Sequence, residues 1–91
     1  MKLMEVTRLI HALDRTLTIY AKKPWTPDSE AEVKMEELGM LVPPDLAQAG
    51  YDYFLEIDIA RDVVPVLSHV DPSFTLEQWC IRLIGYAEND A

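Results

Sequence analysis

Apolar residues recur at helical steps near both ends of this chain and alternate with acids in its middle. From Met4 to about Lys22, Val6, Ile10, Leu13, Leu17 and Tyr20 follow at steps of four, three, four and three, with Leu9 widening the face. That spacing predicts an amphipathic helix. Arg8, His11, Arg15 and Lys22 fall on its other side and give it a basic outer stripe. Pro24 and Pro27 stop it, because proline interrupts a helix and restricts the residue before it. Next, Ala31, Val33 and Met35 alternate with Glu32, Lys34 and Glu36, which predicts a half-buried strand. Intrinsic propensity points the other way, since Glu, Ala, Lys and Met favour helices and Ser29 offers a cap. Gly39 ends the element in either case.

Pro43, Pro44 and Asp45 open a short helical turn through Ala49, with Gly50 at its left-handed stop. The clearest strand follows: Tyr51, Tyr53, Leu55, Ile57 and Ile59 alternate with Asp52, Phe54, Glu56 and Asp58, so one face is apolar and the other acidic. A helix starting at Asp58 would hold Pro65 in its interior at a cost of about 3 kcal/mol. Asp62 as cap leaves Pro65 in the first turn instead, which places that helix at about 62–70. Thr75 and Gln78 have capping-box spacing and open a last helix from about Leu76 to Ala87. Its apolar residues Leu76, Trp79, Cys80, Ile81, Leu83 and Ile84 cover more than half its circumference. The expected fold class is therefore α+β: a single small two-layer domain over residues 1–91, with three main helices packed on a short β-sheet of two strands or more.

Charge changes this picture by concentrating in the middle third. Residues 24–58 hold Asp28, Glu30, Glu32, Glu36, Glu37, Asp45, Asp52, Glu56 and Asp58 against Lys34 alone, whereas the first 23 residues carry a net positive charge. The whole chain has a formal charge of −8. Binding to nucleic acid by phosphate neutralisation needs clustered Lys and Arg, so direct nucleic-acid binding is excluded, and an anionic membrane surface is disfavoured for the same reason. A basic protein partner fits instead. No stretch approaches the ~20 apolar residues of a membrane span, and no signal-peptide core stands at the start, so a cytoplasmic location is expected.

Candidate chemistry is sparse. Cys80, the single cysteine, lies between Trp79 and Ile81 on the most apolar helix, where burial makes a thiol inert. His11 and His69 lack a second His or Cys at metal-ligand spacing, so no metal, cofactor or catalytic residue is expected. Asp52, Glu56 and Asp58 share one strand face at even offsets. With Glu30, Glu32, Glu36 and Glu37 they form an expected partner-binding face, anchored by Trp25, Tyr51 and Tyr53, because interfaces favour aromatic anchors. The same acids also serve solubility and protect a sheet edge from aggregation.

The acidic strand Tyr51-Asp-Tyr-Phe-Leu-Glu-Ile-Asp58 and the closing segment Leu76-Glu-Gln-Trp-Cys-Ile-Arg-Leu-Ile-Gly-Tyr86 resemble small acidic bacterial immunity proteins, including those of contact-dependent growth inhibition. The resemblance is one of character over the whole chain, without a specific motif, and carries over no binding residue. It implies a cytoplasmic toxin inhibitor, a monomer or weak homodimer, that blocks a cognate toxin domain such as a basic nuclease. Two other classes share the pattern: a phage-type inhibitor that mimics nucleic-acid charge, as anti-CRISPR proteins do, and a small oligomeric adaptor built through the last helix.

Overall fold

A computed structural model describes residues 1–36, 41–66 and 73–90, the Asp90 side chain excepted. Its elements are α1 (Leu3–Leu9), β1 (Leu17–Lys22), β2 (Ala31–Met35), α2 (Pro44–Gln48), β3 (Tyr51–Glu56), α3 (Ile57–Val63) and α4 (Leu76–Asp90). The strands form an antiparallel sheet in the order β2-β1-β3. The fold is α+β as expected, but among the described residues the sheet has three strands and the helices number four.

The extra strand is β1, which occupies the second half of the predicted first helix. Asp14 decides the change of direction: its Oδ1 accepts the Thr16 N–H at 2.9 Å and the Thr16 hydroxyl at 2.8 Å, a local turn that competes with helical bonding. Beyond it, Thr16, Thr18, Ile19 and Tyr20 are β-branched or aromatic and favour a pleated strand. Thr18 through Ala21 are all buried, so β1 is covered on both faces, although Leu17, Ile19 and Ala21 alternate with Thr18, Tyr20 and Lys22. Its Leu17 and Tyr20 matched the helical period by coincidence. The basic stripe disperses with it: Arg8 stays on α1, Arg15 bonds Asp58, and Lys22 ends β1.

The apolar inner face of the sheet packs on three helices. Ile19, Ala21, Ala31 and Leu55 meet Leu3, Val6 and Ile10 of α1 and its end, Ile57 and Ala60 of α3, and Trp79, Cys80, Leu83, Ile84 and Ala87 of α4. Burying each large aliphatic side chain contributes roughly 1.5–3 kcal/mol, so this cluster dominates stability. The predicted capping box holds, with the Thr75 N–H donating to Gln78 Oε1 (2.7 Å) and the Gln78 N–H to Thr75 Oγ1 (3.2 Å). α4 runs three residues past the expected Ala87. Its buried stripe is narrower than predicted, because Ile81 is exposed.

The other predicted elements fall where local chemistry was decisive. Period-two alternation prevails over helix propensity in β2, and Gly50 at φ +91° terminates α2. The strand expected through Ile59 instead ends at Glu56. Ile57, Ala60 and Val64 then bury one helical face at steps of three and four, and α3 finishes before Pro65, with Val64 extended as proline demands of its predecessor. Of the helix expected at 62–70, Asp62 and Val63 instead end α3 and Val64, Pro65 and Val66 are not helical; residues 67–70, including His69, lie outside the described residues, as do Glu37 and Gly39.

Candidate functional site

Directly paired residues of an antiparallel sheet project to the same face, so register reveals which side chains meet. Tyr20 stands between Glu32 and Tyr53, and Thr18 between Lys34 and Glu56. Lys22 pairs with Tyr51, and its N–H reaches the Glu30 carbonyl at 3.0 Å, extending the register by one row. The outer face of the sheet thus carries three cross-strand rows: Glu30-Lys22-Tyr51, Glu32-Tyr20-Tyr53 and Lys34-Thr18-Glu56. Tyr20 is fully buried at the centre, while Tyr51 and Tyr53 are half-buried. α2 flanks this face, with Leu46 buried and Asp45 bonding Lys34 at 3.4 Å.

The electrostatics follow from these neighbours. Partial burial, then the charges of Glu32 and Glu30, push the Tyr51 hydroxyl above its ordinary pKa, with Lys34 opposing. The Lys22 ammonium lies 5.0 Å from the Tyr51 ring centroid, a cation–π contact. Asp45 is drawn below the usual carboxylate range, chiefly by its hydrogen bond from Lys34. Four carboxylates, Glu30, Glu32, Asp45 and Glu56, thereby face two ammonium groups, each already held against a partner in the fold.

Of the expected site residues, Glu30, Glu32, Glu56, Tyr51 and Tyr53 are brought together. Glu36 follows β2 directly and is exposed. Asp52 and Asp58 are corrections, because they do not share the face of Glu56. The register between β1 and β3 shifts between Ile19 and Tyr20, leaving Phe54 as an extra residue. Such a bulge sets adjacent residues on one side, so Phe54 and Leu55 both enter the core and Asp52 falls opposite Ala21 on the inner face. Asp58 lies in α3 and bonds Arg15 at 3.2 Å, with both side chains largely exposed. Trp25 is a third correction. Its indole N–H donates to the Ala21 carbonyl (3.2 Å) and its ring meets Phe54 edge-on at 4.9 Å, on the core side of the sheet.

Sequence reasoning missed Tyr20 and Lys22, which it assigned to a helix. A signal for the bulge was present, since Phe54 was the one apolar residue on an otherwise acidic strand face.

Elsewhere the chemistry is quiet. Cys80 is fully buried, and burial pushes its thiol upward against a hydrogen bond with Thr7. His11 donates from Nε2 to the Val64 carbonyl, tying the end of α1 to the end of α3. A groove of about 390 Å³ between Lys23, Pro24, Trp25, Ala87 and Glu88 is open to solvent. Among the described residues, no group of three or more His, Cys, Asp and Glu side chains is placed to hold a metal ion, and no helix is long and apolar enough to cross a membrane. No protein family, curated protein or solved structure matches the chain.

Proposed function

We propose that this protein binds a basic protein partner through the outer face of its sheet and inhibits it, as an immunity protein neutralises a cognate toxin domain. The observation that carries the reading is the clustering of half-buried Tyr51 and Tyr53 among Glu30, Glu32 and Glu56. Aromatic side chains supply contact area at low entropy cost, and surrounding carboxylates supply rate and register toward a cationic surface. A nuclease is the favoured target, since its substrate groove is positively charged and an acidic plug competes there with phosphates. Inhibition then needs no catalytic group on this chain.

The test is a comparison of two triple variants with the same charge change. Glu30→Lys with Glu32→Lys and Glu56→Lys inverts the face. Asp52→Lys with Asp62→Lys and Glu88→Lys leaves it intact. Affinity capture from the native host followed by mass spectrometry should recover one partner with the wild type and the off-face variant. The face variant, folded by circular dichroism, should bind that partner at least about 100-fold more weakly, consistent with roughly 1 kcal/mol or more per reversed interfacial charge. Retention of the partner by the folded face variant would sink the reading.

A further inference from the structure

The sheet order leaves β2 at an edge, and the start of the chain already shows how that edge is used. The Ala31 N–H donates to the Met1 carbonyl at 2.7 Å, the Met1 ammonium donates to the Ala31 carbonyl at 3.2 Å, and the Leu3 N–H donates to the Ser29 carbonyl at 3.0 Å. Residues 1–3 therefore pair antiparallel with Ser29–Ala31 at the start of the β2 edge, through an isolated bridge between Lys2 and Glu30. Both backbone groups of a residue in an antiparallel strand point the same way, and direction alternates along the strand. Ser29 and Ala31 point outward, so Val33 and Met35 do too, while Glu30 points to β1, as its bond from Lys22 shows. Among the described residues nothing pairs with the outward N–H and C=O groups of Val33 and Met35.

Side chains along this open half separate by face. Val33 and Met35 lie on the inner, apolar side, where Met35 is 64% exposed. Glu32 lies on the outer side with Lys34, and Glu36 follows at the strand end; Lys34 is already engaged by Asp45. From this arrangement we infer that the open half of the β2 edge receives a strand from a basic partner, with apolar side chains over Val33 and Met35 and basic side chains opposite Glu32 and Glu36. The inference rests on the outer face being the partner-binding surface, and it adds the mode of recognition: main-chain pairing for affinity and alternating side chains for specificity. A second copy of this chain is the poorer occupant. A charge of −8 repels its own kind, and a lysine on an edge strand guards against self-pairing.

The experiment uses a probe with the inferred pattern. Acetyl-Lys-Val-Thr-Val-Lys-amide presents lysines opposite Glu32 and Glu36 and valines opposite Val33 and Met35 in either strand direction. Acetyl-Val-Lys-Thr-Lys-Val-amide has the same composition with its faces exchanged. In NMR titrations, the first peptide should give saturable shifts centred on the Val33 and Met35 amides. Its dissociation constant should be lower than that of the second by about fivefold or more, as expected for two matched ionic contacts. Met35→Pro removes an outward donor without touching the ladder to β1, a position where an edge tolerates proline. It should weaken binding by about tenfold, the net worth of one or two hydrogen bonds, while Met35→Thr, which keeps the N–H, should not. Equal binding of the two peptides, shifts centred elsewhere, unchanged binding by folded Met35→Pro, or a wild-type dimer at micromolar concentration dissolved by Met35→Pro would each overturn the inference. Should Met35→Pro fail to fold, the two-peptide comparison on the wild type still decides. Loss of the native partner on reversing Glu30, Glu32 and Glu56, with retention in Met35→Pro, would leave the acidic face standing and remove edge addition alone.

Discussion

Thr75 shows how much one side chain can determine at the residue scale. Its hydroxyl accepts the Gln78 N–H while its own N–H is answered by Gln78 Oε1, so two groups at the start of α4 are satisfied reciprocally. Thr75→Ala should cost about 1 kcal/mol, read as a lower urea midpoint with an unchanged slope. Cys80 gives a prediction in pH. Burial raises its thiol above the ordinary value, so between the unfolded and folded values the unfolded chain holds fewer protons. Stability from this group is full below the unfolded thiol value of about 8.5 and declines as pH rises past it. Urea midpoints measured from about pH 7 to about pH 9.5 should therefore fall more steeply for the wild type than for Cys80→Ala, and thiol labelling of the native protein should be slow. The Thr75 box, Gly50 and Pro44 were legible in the sequence because each acts within four residues of itself. Asp14 was not, because an acid in a run of helical spacing looks like part of a polar face until its bond to Thr16 is seen.

Elements declare themselves when one side of them is wet. β2 alternates because one of its faces is solvated, and α4 carries a helical stripe because its far side is polar. β1 is covered on both faces, and its alternation of Leu17, Ile19 and Ala21 with Thr18, Tyr20 and Lys22 was hidden because Leu17 and Tyr20 also continue the helical spacing from Val6. In β3 the alternation is real but interrupted, and a single extra residue separates Asp52 from the face of Glu56. Of the residues expected to bind a partner, the placement of Glu30, Glu32, Glu56, Tyr51 and Tyr53 on one side of the sheet was therefore readable. Asp52 lies across the bulge, Asp58 beyond the strand end and Trp25 on the core side, while Glu36 follows β2 and Glu37 lies outside the described residues. Phe54 anchors this bulge: it is 2% exposed and edge-on to Trp25. Phe54→Ala should cost about 3–5 kcal/mol in urea unfolding, whereas Asp52→Ala, next but one in the chain and exposed, should stay within about 0.5 kcal/mol.

For the molecule as a whole, charge and shape act on different problems. The acids outnumber the bases by two to one, yet Arg15, Lys22 and Lys34 each answer a side chain within the fold, leaving much of the negative excess facing solvent. Self-repulsion of this kind is screened by salt, so the melting temperature at neutral pH should rise by about 2–5 °C between about 10 mM and about 200 mM sodium chloride. A flat or falling curve would mean that the native acids are already neutralised by their neighbours. The seat of residues 1–3 on β2 also bears on how the protein is handled. Peptide fused ahead of Met1 leaves the Ala31 position heading toward Val33 and Met35, so an amino-terminal tag becomes a tethered competitor at millimolar effective concentration for whatever the edge receives. A tag placed there would silence the very surface it was meant to help isolate.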